Sequence, residues 1–120
     1  KRVARRWGIA CAGVTDLAAA SRDALDGVIN ATPMGMAKFP GSAYPGALML
    51  PPLWVYDIVY VPLETEFLRL ARAAGCTALS GADMAVFQAV RAFELFTGRP
   101  ANAVRMRATF DAFDAPQDAG

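Results

Sequence analysis

The stretch Asp26-Gly27-Val28-Ile29-Asn30-Ala31-Thr32-Pro33-Met34-Gly35-Met36 most constrains what this chain can fold into. Val28 to Ala31 reads as a short buried strand that stops at Thr-Pro and runs into a small loop. A second block, Tyr56-Asp57-Ile58-Val59-Tyr60-Val61-Pro62-Leu63-Glu64-Thr65, repeats the order: apolar strand, polar tip, proline, helix start. In open α/β sheets ligands bind outside the carboxyl ends of the strands, so two such tips point to a ligand crevice.

The rest of the chain supplies the alternation that such a sheet needs. Val3, Ala4 and Trp7 fall at helical spacing, and Gly8 fits a helix stop. Ile9 to Val14 is a candidate strand, and Thr15-Asp16 suits the cap of a short helix through about Leu25. Met36 to Pro52 carries Pro40, Gly41, Pro45, Gly46, Pro51 and Pro52, which predicts a loop with at most one helical turn. Trp54 to Tyr60 is nearly unbroken apolar sequence, as in a parallel strand covered on both faces. Thr65 can cap a helix to Ala74 that ends at Gly75. Thr77 to Leu79 is a short strand, Ala82 to Thr97 a long helix ended by Gly98, and Asn102 to Phe113 a last helix before a polar tail. Strands alternating with helices give an α/β fold with a parallel sheet and flanking helices.

Composition removes several classes of function. With 55% apolar and 19% charged residues the chain is globular rather than disordered. Its 12 Lys and Arg nearly balance its 11 Asp and Glu, so no basic field for nucleic acid exists. The run Arg2, Arg5, Arg6 reads as a solvated helix face. There is no histidine, and Cys11 and Cys76 stand in no metal spacing, which argues against a zinc site. Both cysteines sit in apolar contexts and read as reduced core residues of a cytoplasmic protein. No apolar run has the length of a membrane span, and no signal peptide follows the basic start. The chain opens on Lys1 in what reads as mid-helix, so it reads as a fragment.

Residues with chemistry cluster at the ends of the predicted strands. Gly81 lets backbone approach a flat ligand without an intervening side chain. Met84 and Gln88 are four residues apart and share a helix face near its N-terminus. Gln88 can donate and accept, which suits a hydroxyl or carboxylate; equally, Gln88, Arg91 and Glu94 can form a solvated stripe. Tyr60 offers a hydroxyl to a substrate or is a buried tyrosine with a local partner. Thr32 touches a ligand or caps the turn before Pro33. Asp57, inside an apolar strand, must be hydrogen-bonded, and nearby backbone amides are the expected donors. Glu64 and Glu66 complement a helix dipole. The chain has no G-x-G-x-x-G turn, no nucleophile elbow and no Ser/His/Asp or Cys/His set.

Three ordered blocks resemble the C-terminal half of shikimate dehydrogenase: Asp26 to Met36, Tyr56 to Leu68, and Gly75 to Gly98. Gly81 to Val90, followed by Phe93-Glu94-Leu95-Phe96-Thr97-Gly98, is most similar to the bacterial quinate/shikimate dehydrogenase subgroup. The resemblance implies a Rossmann-like domain binding NAD or NADP, with last helices that return to an N-terminal domain. On that reading residues 1–120 form the C-terminal part of the NAD(P)-binding domain, with 101–120 a terminal helix and tail. It also implies reversible hydride transfer between the cofactor and a ring hydroxyl of shikimate or quinate, as in aromatic amino acid biosynthesis. The family's catalytic Lys and Asp and its Gly-rich phosphate turn stand in parts of the family sequence that this chain does not match, so the chain by itself is expected to be inactive.

Residue by residue, the resemblance implies cofactor contacts at Thr32, Ile58, Gly81 and Met84 and substrate contacts at Tyr60 and Gln88. Its partner is a small molecule, without nucleic acid, membrane or metal, and a homodimer is compatible with it. Asp83 departs from the family, which mostly has glycine there; the charge either alters ligand preference or caps the following helix. The rival reading is a non-catalytic truncated Rossmann-like module that associates through its sheet edge.

Overall fold

The structure, a computed structural model, describes Gly8 and residues 25–113. The helix, strand and helix expected before Leu25, Cys11, and the polar tail from Asp114 lie outside the described residues. The elements in chain order are β1 (Gly27–Asn30), a 3-10 turn (Gly46–Leu48), β2 (Trp54–Asp57), α1 (Glu66–Ala73), β3 (Thr77–Ser80), α2 (Ala82–Thr97) and α3 (Ala103–Phe113). The strands form a parallel sheet in the order β1-β2-β3. This is a Rossmann-like arrangement with flanking helices.

Register sorts the sheet into two faces, because alternate residues of a strand point to opposite sides. Val28, Val55 and Ala78 stand side by side, and so do Asn30, Asp57 and Ser80 two residues further on. The first row packs with Phe67, Leu68 and Ala71 of α1 and with Tyr44, Met49 and Leu53 of the long connection. The alternate row is Ile29, Tyr56 and Leu79. Ile29 and Leu79 are exposed and Tyr56 is half-buried. At the start of the sheet, the Trp54 ring lies on the backbone of Gly27; a Cβ there would fall 2.0 Å from it.

Helix boundaries follow local chemistry. The Thr65 hydroxyl accepts from the Leu68 amide, capping α1, and Gly75 turns the chain away with φ of 79°. Ser80 Oγ accepts from the Ala82 amide at the start of α2, and Gly98, with φ of 66°, ends it. Asn102 Oδ1 takes the Arg105 amide at 2.9 Å, so α3 begins at Ala103, just after its capping residue. The strands differ from expectation. β1 begins and ends one residue earlier than Val28 to Ala31, and β2 stops at Asp57 rather than Tyr60. The ladder ends there because the Val59 amide turns onto the Asp57 carboxylate at 3.0 Å.

Candidate functional site

A cleft of about 360 Å³ opens beyond the carboxyl ends of β1 and β2. Thr32 and Met36 line it from one loop, and Ile58 to Val61 from the other. The cleft therefore brings together three of the residues picked from sequence: Thr32, Ile58 and Tyr60. Gly81 joins them from behind. It is buried, and a Cβ on it would lie 2.6 Å from the Ile58 carbonyl oxygen and 2.7 Å from that of Asp57. Only glycine lets the β3–α2 turn come this close to the tip of β2.

Met84 and Gln88 do not line this cleft. Met84 is half-buried on the first turn of α2, and Gln88 is exposed. The stripe read as Gln88, Arg91 and Glu94 is present, with Arg91 and Glu94 paired at 3.7 Å. Sequence reasoning passed over Met36, Val59 and Val61 as wall residues. Met36 was legible in part: it ends the Pro33-Met34-Gly35-Met36 turn, whose Met36 amide bonds the Pro33 carbonyl at 3.1 Å.

Tyr60 is not a buried tyrosine. It is 43% exposed, its ring centroid is 6.0 Å from that of Phe110 in α3, and its hydroxyl has no partner among the described residues. A free phenol at the cleft can donate to or accept from a ligand. Thr32 is more committed. Its hydroxyl donates to Asn30 Oδ1 at 2.7 Å and accepts from the Met34 amide at 3.2 Å. Its proton is spent on the turn, so towards a ligand it has a methyl group and one lone pair to offer.

A larger cavity of about 550 Å³ lies between α2 and α3, lined by Ala89, Phe93, Asn102, Met106 and Phe110 among others. Both linings are mainly carbon, but the smaller cleft gathers the tips of two strands and the Tyr60 hydroxyl. Position at the strand ends outweighs volume in choosing between them. On the other side of the helix pair Asp83 forms an ion pair with Arg107, which also holds Asp111 at 2.9 Å. Asp111 first and Asp83 second push the Arg107 guanidinium above its already high pKa. Asp83 thus acts as a tie between α2 and α3. Burial raises the pKa of the Cys76 thiol, in keeping with an inert core cysteine.

Among the described residues no cluster of His, Cys, Asp or Glu could hold a metal, and no helix is long and apolar enough to cross a membrane. Residues 81–109 match the family described as the Shikimate 5'-dehydrogenase C-terminal domain. A shikimate dehydrogenase (NADP(+)) from Streptomyces avermitilis is 56% identical over 98 residues, which cover 76% of this chain and 34% of that protein. A quinate/shikimate dehydrogenase (NAD(+)) from Corynebacterium efficiens is 52% identical over 103 residues, covering 86% of this chain and 35% of the relative. The solved quinate dehydrogenase from Corynebacterium glutamicum in complex with NAD superposes with a TM-score of 0.70 at 53% identity, over 74% of this chain and 32% of that one. The chain spans about a third of the length of the curated relatives it matches. Sequence identity of this order over 76–86% of the chain, with a fold that superposes on a solved member, places the chain in the shikimate dehydrogenase family.

Proposed function

We propose that this chain forms the nicotinamide-facing part of the NAD(P) domain of a shikimate or quinate/shikimate dehydrogenase. The observation that carries the reading is the cleft beyond β1 and β2, with the bare Gly81 backbone pressed against the tip of β2. Its walls fit a nicotinamide ring. Met36, Ile58, Val59 and Val61 present apolar surface to a flat heteroaromatic face, and Tyr60 supplies one free hydroxyl. Bound NAD(P) would supply the hydride acceptor at its nicotinamide.

On this reading Thr32, Ile58 and Gly81 contact the cofactor at the cleft and Tyr60 contacts the acid; Met84 on the cofactor and Gln88 on the acid stand outside the cleft lining, and only the family resemblance supports those two contacts. Tyr60 offers its hydroxyl to the ring, and the apolar wall keeps water from the carbon that loses the hydride. The single hydroxyl proton would pass to one member of the lysine and aspartate pair that the family carries in its N-terminal domain, and loss of the hydride would leave the ring carbon as a ketone. Cofactor choice between NAD and NADP, and acid choice between shikimate and quinate, belong to initial rates with each pair.

The test uses the intact polypeptide carrying this chain. Reduction of NAD or NADP with either acid is expected, and the 120-residue chain by itself is expected to show none. In the intact enzyme Gln88→Ala should raise the acid's KM or depress kcat while cofactor binding stays near wild type. Failure of the intact enzyme to oxidise either acid with either cofactor would overturn the proposal.

A further inference from the structure

Three buried polar side chains lie directly beneath the cleft. Asn30 is 2% exposed, Asp57 0% and Thr65 1%. Asn30 and Asp57 are register partners at the ends of adjacent strands. Asn30 Nδ2 donates to Asp57 Oδ1 at 2.9 Å and to the Met34 carbonyl at 2.8 Å. Its Oδ1 accepts from both the amide and the hydroxyl of Thr32. Asp57 Oδ1 also accepts from the Val59 amide, and its Oδ2 accepts from the Thr65 hydroxyl at 2.5 Å. Thr65 in turn caps α1.

The network is saturated: among the described residues no buried side-chain nitrogen or oxygen lacks a partner. Its outer ends are the backbone of the two cleft loops, Thr32 and Met34 on one side and Val59 on the other. The first loop also rests on it directly, since a Cβ at Gly35 would sit 3.3 Å from Thr65 Cβ. A buried carboxylate in a low-dielectric setting makes such bonds directional and costly to break.

We propose that Asn30 and Asp57 are positioning residues that lock the two cleft walls at a fixed separation, so that Thr32 and Met36 face Ile58 and Tyr60 in a set geometry. The proposal uses the reading above for its catalytic consequence, because a nicotinamide gripped between these walls is aimed by them. The carboxylate acts through Asn30 on a loop that belongs to a different strand.

The test compares Asp57→Ala with the isosteric Asp57→Asn, whose amide can still accept from Asn30 and Val59 and donate to Thr65. In amide NMR spectra of the 120-residue chain, Asp57→Ala should shift the Thr32 amide, which Asp57 does not touch, and Asp57→Asn should largely restore it. In the intact enzyme Asp57→Ala should lower kcat about 10- to 100-fold per folded molecule, because small misplacement of reacting groups is expensive in rate. The KM of the acid should stay within about twofold, and Asp57→Asn should recover most of kcat. A merely structural role would reduce the folded fraction without this split or rescue. An unmoved Thr32 amide, or an unchanged kcat per folded molecule, overturns the proposal. Should the intact wild type oxidise neither acid, the functional reading falls, and the Thr32 amide alone decides the positioning role.

Discussion

Between Gly27 and Ser80, on the sheet face that α1 covers, apolar side chains meet one another: Val55, Phe67, Leu68 and Ala71 have no exposed surface, and Met49 has 1%. From Ala82 to Phe113 only Ala82 and Val86 are buried among the described residues, while Phe87, Leu95, Phe96 and Val104 keep 64% to 89% of their surface. On that face the first region closes a core and seals a polar network above it, while Ile29 and Leu79 on the other face stay exposed. The second is a helix pair tied at its edge by Arg107, with much of its carbon facing outward. Burial therefore decides where a substitution is felt. The strand-tip region should respond to single atoms, the helix pair hardly at all.

Phe67→Ala is the strongest way to sharpen that contrast. It empties the centre of the first core and is expected to cost about 3–5 kcal/mol in chemical denaturation. A cost below 1 kcal/mol would break the comparison. Gly81→Ala comes next, at about 1–3 kcal/mol, because the added methyl meets backbone carbonyls that yield only if the tip of β2 shifts. In the intact enzyme it should also lower kcat, since the tip of β2 is what moves.

Arg107→Ala should cost under about 1 kcal/mol, because its ion pairs are largely solvated. The loss should shrink further at about 1 M salt, where the screening length is near 3 Å. Phe96→Ala, at the most exposed aromatic among the described residues, should change stability by less than about 0.5 kcal/mol. A large loss there, measured in the 120-residue chain, would mean the helix pair is closed by contacts of its own.

Punctuation made much of the fold legible. Thr65, Gly75 and Gly98 mark helix ends by chemistry that acts within a few residues, and the structure uses each as read. The end of β2 was less legible, because Asp57 takes the Val59 amide only once Asn30 and Thr65 are in place around it. That arrangement joins residues 27 apart in sequence, which no local pattern encodes. The site shows the same division. Thr32 and Tyr60 stand at strand tips that the pattern marks, but their roles and the choice of Ile58 come from the family resemblance, while Gly81 is marked by the need for bare backbone. Where Met84 and Gln88 stand relative to the cleft depends on how α2 is set against the sheet, and helical spacing alone does not fix that.

The ring of Trp54 filling the space over Gly27 couples two positions that are otherwise ordinary. Gly27 cannot take a side chain while the indole stays where it is. Relatives bearing a side chain in place of Gly27 should carry something slimmer than indole in place of Trp54. An aligned set of such sequences should show the two columns changing in concert, and introducing Gly27→Ala together with Trp54→Val should be milder than Gly27→Ala by itself.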